Sequence, residues 1–122
     1  MKWFCATLLV LVSGLLCLVP EGSEAAGAAN LVRIDGAIGP VPARFIAQQI
    51  RAAERDHAAC LVIGIDTPGG LDTSMRTMIQ DIIASRVPVV LYVSPSGARC
   101  ASAGVFIAMS ADVVAMTPGT SI

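Results

Sequence analysis

Apolar positions recur with three different periods along this chain. From Phe4 to Val19 they run almost unbroken, interrupted by Thr7, Ser13 and Gly14. Leu31-Val32-Arg33-Ile34-Asp35 alternates apolar and polar, which predicts a short strand. Beginning near Pro42, the residues Phe45, Ile46, Gln49, Ile50 and Ala53 fall on one helical face. Cys60 to Ile65 is continuously apolar, as expected of a strand covered on both faces. A second helical stripe follows at Met75, Met78, Ile79, Ile82 and Ile83, with Asp72 as its candidate N-cap. Val87 to Val93 reads as another buried strand. A third helix is predicted from about Ala98 or Cys100 to Ser110, and Val113 to Met116 as a last short strand. The order β-α-β-α-β-α-β with short connections predicts an α/β fold with a mainly parallel sheet.

The first apolar run has a separate meaning. Lys2 precedes it, Pro20 and Glu21 end it, and the small residues Ser23, Ala25, Ala26 and Ala28 follow. That arrangement predicts an export signal or N-terminal membrane anchor over residues 1–25. Residues 26–30 then form a linker and residues 31–122 the folded domain. The expected location is exported and membrane-associated, on the periplasmic or extracytoplasmic side.

Composition removes several classes of function. The net charge is −1 and no basic face is visible, which argues against a nucleic-acid partner. The single His and the absence of C-x-x-C leave no metal spacing, and no cofactor is expected. Cys5 and Cys17 lie in the leader. Cys60 and Cys100 open apolar elements and are expected as unpaired thiols.

Two strand-to-helix loops remain as places for chemistry, Asp66–Leu71 and Ser94–Ser102. Ligands of parallel α/β folds bind beyond the carboxyl ends of strands. Helix N-termini there offer free N–H groups to an anion. Gly69-Gly70 fits either an oxyanion hole with donors near Gly70 and Leu71, or a plain tight turn. Ser102, within Ala101-Ser102-Ala103-Gly104, fits either a nucleophile at a helix start or a small-residue packing face. Asp66 reads as a carboxylate that fixes its loop, and His57 as solvated surface.

Together the loops carry a resemblance. Ile65-Asp66-Thr67-Pro68-Gly69-Gly70-Leu71, then Ala101-Ser102-Ala103-Gly104, then Met116-Thr117-Pro118-Gly119-Thr120-Ser121-Ile122 is similar to the NfeD-type membrane-bound serine proteases, the stomatin operon partner proteins of the ClpP/crotonase-like superfamily. The resemblance implies a serine endopeptidase of the Ser-Lys type, with Ser102 as nucleophile. It implies an oxyanion hole among Gly69, Gly70, Leu71 and Ala103. The family's lysine is expected beyond Ile122, so residues 31–122 alone are expected to be inactive. Apolar peptide substrates, a stomatin-like membrane partner and self-association follow from the same likeness. Two rivals use the same fold: a non-catalytic scaffold that binds peptide, and a crotonase-type acyl-CoA enzyme, which would not need a serine at position 102.

Overall fold

β-Branched and long aliphatic side chains dominate the segments that form the sheet. In the computed structural model, which describes residues 27–122, four strands lie in the order β1-β2-β3-β4, and every pairing is parallel. They are β1 (Ala29–Asp35), β2 (Cys60–Asp66), β3 (Val89–Val93) and β4 (Val113–Met116). Three helices connect them: α1 (Pro40–Arg55), α2 (Asp72–Ile83) and α3 (Ala103–Ser110). The expected leader over residues 1–25 lies outside the described residues. None of the described helices is long and apolar enough to cross a membrane.

Sequential strand order with crossovers of one hand carries every helix to the same side of the sheet. Accordingly α1 packs on α2 and α2 on α3. The core lies between that helical layer and the sheet. Leu61, Ile63 and Ile65 of β2 and Val89, Leu91 and Val93 of β3 are fully buried there. They meet Ile46 and Ile50 of α1, Met78 and Ile82 of α2, and Ile107 of α3 in one cluster. The expectation that β2 is covered on both faces is corrected by this layering. Cys60 and Val62, on the side away from the helices, are only half-buried.

Element ends differ from the sequence pattern for local reasons. β1 begins at Ala29, because the Ala59 N–H donates to the Ala28 carbonyl and draws the linker into the sheet. α1 starts at Pro40, where a missing N–H costs nothing in a first turn. The N-cap of α2 is Leu71, and Asp72 is the first helical residue, paired with Arg76 one turn on. α3 starts at Ala103, later than its composition suggests, because Ser102 leaves helical geometry. Ile83 and Phe45 face solvent in part, at 70% and 37% exposure, so each helical stripe is narrower than the apolar pattern.

Candidate active site

The four segments beyond the carboxyl ends of the strands are laced into a second, narrower tier of parallel bridges. Ile38 bridges Gly70, Thr67 bridges Cys100, and Arg99 bridges Ser121. The Thr67 N–H donates to the Arg99 carbonyl at 2.7 Å, and the Ala101 N–H to the Thr67 carbonyl at 3.0 Å. On the far side, Cys100 N–H donates to the Ser121 carbonyl at 2.8 Å. Asp66 adds a side-chain tie, its Oδ1 accepting from the Arg99 N–H at 3.0 Å. The loop-fixing role expected of Asp66 matches this contact. Further back, Gly64 faces Arg33, with open contact distance of 3.7 Å between a notional Cβ there and Arg33 Cγ. Arg33 passes across that position and donates to the Ser94 carbonyl at 3.1 Å.

Ser102 is the exposed residue at the N-cap of α3, with φ 53 and ψ −117. That combination is rare for a residue with a Cβ and costs on the order of 1–3 kcal/mol. Its side chain lies against the backbone of Gly69, itself at φ 107. A Cβ at Gly69 would stand 2.6 Å from Ser102 Cβ and 3.0 Å from Ser102 Oγ. The glycine is therefore required twice over, by its own backbone and by the serine beside it. Gly104 is constrained similarly, since a Cβ there would lie 2.7 Å from Thr67 Cγ2 and 2.9 Å from Cys100 Sγ.

Four backbone N–H groups were expected to serve an oxyanion, and the hydrogen bonds divide them. The Gly69 N–H donates to Thr67 Oγ1 at 3.1 Å, and the Leu71 N–H to the Ile38 carbonyl at 2.9 Å. The Gly70 and Ala103 N–H groups have no hydrogen-bond partner among the described residues. Ladder geometry explains the first. Gly69 O and Leu71 N both bond Ile38, so the intervening Gly70 turns its own groups the other way. The second is free because a first-turn N–H has no intrahelical acceptor. The expectation thus narrows from Gly69, Gly70, Leu71 and Ala103 to Gly70 and Ala103.

Other titratable groups do not converge here. His57 is exposed before the amino end of β2, with the full strand, roughly 20 Å, separating it from Asp66. Cys100 is buried, and burial pushes its thiol up to about 11, which keeps it protonated and inert. Cys60 and Cys100 are both free thiols. No group of His, Cys, Asp and Glu among the described residues could hold a metal ion. Thr67 is what the sequence reading passed over. It is fully buried, and it continues the inward alternation of Leu61, Ile63 and Ile65 by one more step. That period of two was the available signal.

A strained serine at a helix start, beside a glycine loop with an outward N–H, on a parallel sheet, defines a ClpP-like α/β architecture. Solved structures bear on this directly. The chain superposes on the ClpP1 of Listeria monocytogenes with a TM-score of 0.62 at 23% identity, covering 74% of this chain and 52% of that one, a likeness of fold. It superposes more fully on the 1510-N membrane protease specific for a stomatin homologue from Pyrococcus horikoshii, with a TM-score of 0.73 and 38% identity over 77% of this chain and 47% of that one. A serine-to-alanine mutant of a 1510-N membrane-bound stomatin-specific protease gives 0.76, at 37% identity over 77% and 45% of the two chains.

Residues 29–122 match the family described as NfeD1b, N-terminal domain, and the chain belongs to that family. Among curated relatives, the membrane-bound protease PH1510 of Pyrococcus horikoshii is 48% identical over 73 residues, 60% of this chain. The membrane protein NfeD1b of Bacillus subtilis is 39% identical over 77 residues, 63% of this chain. The match spans 17% of the length of each of these relatives.

Proposed function

We propose that this domain is the nucleophile-bearing part of a membrane-associated serine endopeptidase that cleaves apolar peptide segments through an acyl-enzyme. The observation that carries the reading is Ser102 held at φ 53 with its Oγ beside the Gly69 backbone. A scaffold that only bound peptide would gain nothing from that strain, and a crotonase-type acyl-CoA enzyme would not need the hydroxyl. In the reaction, Ser102 Oγ attacks the scissile carbonyl carbon while a lysine takes its proton. The Gly70 and Ala103 N–H groups receive the developing oxyanion, aided by the positive end of α3. The lysine returns the proton to the departing amine, and water then releases the acyl group by the same path reversed. Such a lysine needs a lowered pKa, which burial supplies. We assign it to the polypeptide beyond Ile122. One 1510-N stomatin-specific protease has been solved as a lysine-to-alanine mutant in complex with a substrate peptide, with a TM-score of 0.76 to this chain. By that relation we assign a peptide substrate and a stomatin-like membrane partner. That the peptide is apolar, that the protease self-associates and that it acts on the extracytoplasmic side we assign from the motif resemblance of Asp66–Leu71 and Ala101–Gly104 alone.

The test is peptidase assay of the full-length protein on an apolar peptide, together with labelling by a fluorophosphonate. Ser102→Ala is expected to abolish both turnover and labelling while the fold persists. Turnover retained in Ser102→Ala, or a label mapped to another residue, would refute the assignment.

A further inference from the structure

We infer that Thr67 is a positioning residue for the oxyanion donor, acting through its hydroxyl on Gly69; the inference rests on the peptidase reading above. The fold joins three parts of the site through this one residue. Thr67 Oγ1 accepts from the Gly69 N–H at 3.1 Å and donates to the Gly69 carbonyl at 3.3 Å. Both backbone groups of Thr67 bond the nucleophile loop, at Arg99 and Ala101. Its methyl fills the notch opposite Gly104, in the first turn of α3. The residue is 0% exposed, so water cannot take the place of the hydroxyl.

The consequence runs through geometry. Gly69 is held at φ 107 with both of its polar backbone groups engaged by the same hydroxyl. The Gly69 carbonyl also accepts from the Ile38 N–H at 2.8 Å, so Thr67 and Ile38 together set the peptide whose N–H, that of Gly70, is left free. The same hold keeps Gly69 close enough to Ser102 that no side chain fits between them. Without the hydroxyl, the Gly69 N–H is buried and unpaired, and the loop has reason to rotate. A rotation of one peptide would move the donor while leaving the sheet, the helices and Ser102 in place.

Two pairs of variants of the full-length protein separate this from packing. Thr67→Val keeps the shape and methyl but removes the hydroxyl. Thr67→Ser keeps the hydroxyl and removes the methyl. Thr67→Val is expected to lower kcat by about 10-fold to 100-fold with KM little changed, because a misaimed donor is felt in the transition state. Thr67→Ser is expected to retain most of the rate. If Thr67→Val folds poorly, Thr67→Ser against Thr67→Ala repeats the comparison with the methyl absent from both, and Ala is expected to be the slower. Wild-type kcat in Thr67→Val, or equal rates per folded molecule in Ser and Ala, would overturn the inference. Fluorophosphonate labelling separates the two readings: no label on wild-type Ser102 overturns the peptidase assignment and this inference with it. Wild-type labelling that proceeds at the same rate in Thr67→Val overturns this inference alone.

Discussion

Ser102 occupies backbone space that suits glycine, at φ 53 and ψ −117, yet a serine stands there. The strain costs about 1–3 kcal/mol, and the residue's packing does not repay it, because the side chain is exposed. Replacing it by glycine removes the strain but adds chain entropy to the unfolded state, about 0.4–1 kcal/mol. The net expectation for Ser102→Gly is a domain about 1 kcal/mol more stable, melting several degrees higher, and without peptidase activity. Thermal unfolding of the two proteins checks it; a lower melting temperature in the glycine variant would mean that Ser102 makes a stabilising contact instead. Gly70 shows why some substitutions cannot report on chemistry. A Cβ there would collide with the backbone of Ile38, so Gly70→Ala tests the loop's folding and not the donor alone.

At the scale of elements, periodicity was a good guide wherever packing and pattern agree. All four strands and three helices were legible: the strands in the alternation of Leu31–Asp35 and the runs at Cys60, Val87 and Val113, the helices in the stripes through Ile46 and Met78 and the apolar stretch ending at Ser110. What the pattern could not carry was which ends bend. The delayed start of α3 depends on one dihedral pair at Ser102, and the free N–H of Gly70 on a bridge to Ile38, thirty-odd positions earlier in the chain. Both are set by tertiary hydrogen bonds, which leave no period in the sequence. Ser102 is singled out in the sequence by its small neighbours and by family resemblance. The role of Thr67 was hidden because a polar residue before Pro68 reads as loop. The same tier gives Cys100 a testable property. It is buried where the loop leading to Ser102 bridges Thr67, and burial raises its thiol from 9.0 to about 11. The folded state therefore holds that proton where the unfolded chain has released it. Stability contributed by the neutral thiol is present below pH 9 and falls as the pH climbs from there to about 11. Cys100→Ala is expected to flatten that alkaline decline in a series of denaturant melts. An unchanged slope would place the titrating group elsewhere. With both thiols free, iodoacetamide is expected to reach half-buried Cys60 in the native protein and Cys100 only after unfolding.

At the scale of the whole molecule, one flank of the described domain is apolar and open. Phe106 and Met109 of α3, and Val113, Val114 and Met116 of β4, are all exposed. β4 is also an edge strand, so a row of its backbone groups is free to pair. Exposed apolar side chains gathered on the last helix and the edge strand fit a place where something else packs. Residues 27–122 also contain no lysine, and the one histidine sits at the opposite end of β2 from the serine. A serine hydroxyl is a weak nucleophile until a base stands beside it. Asp66 and Asp72 are near the right loop, but Asp66 is committed to the Arg99 N–H and Asp72 to Arg76. Neither carboxylate is therefore free to serve Ser102 as a base. Two consequences are expected of a polypeptide comprising residues 27–122 alone. It self-associates with rising concentration, seen as a mass that grows in sedimentation equilibrium. On the proposed Ser-Lys mechanism, it also fails to hydrolyse an apolar peptide that a longer polypeptide supplying the lysine is expected to cleave. Equal turnover by the two polypeptides would put the base among these residues and remove the Ser-Lys mechanism, whereas a monomer at every concentration would remove the apolar flank as a packing surface.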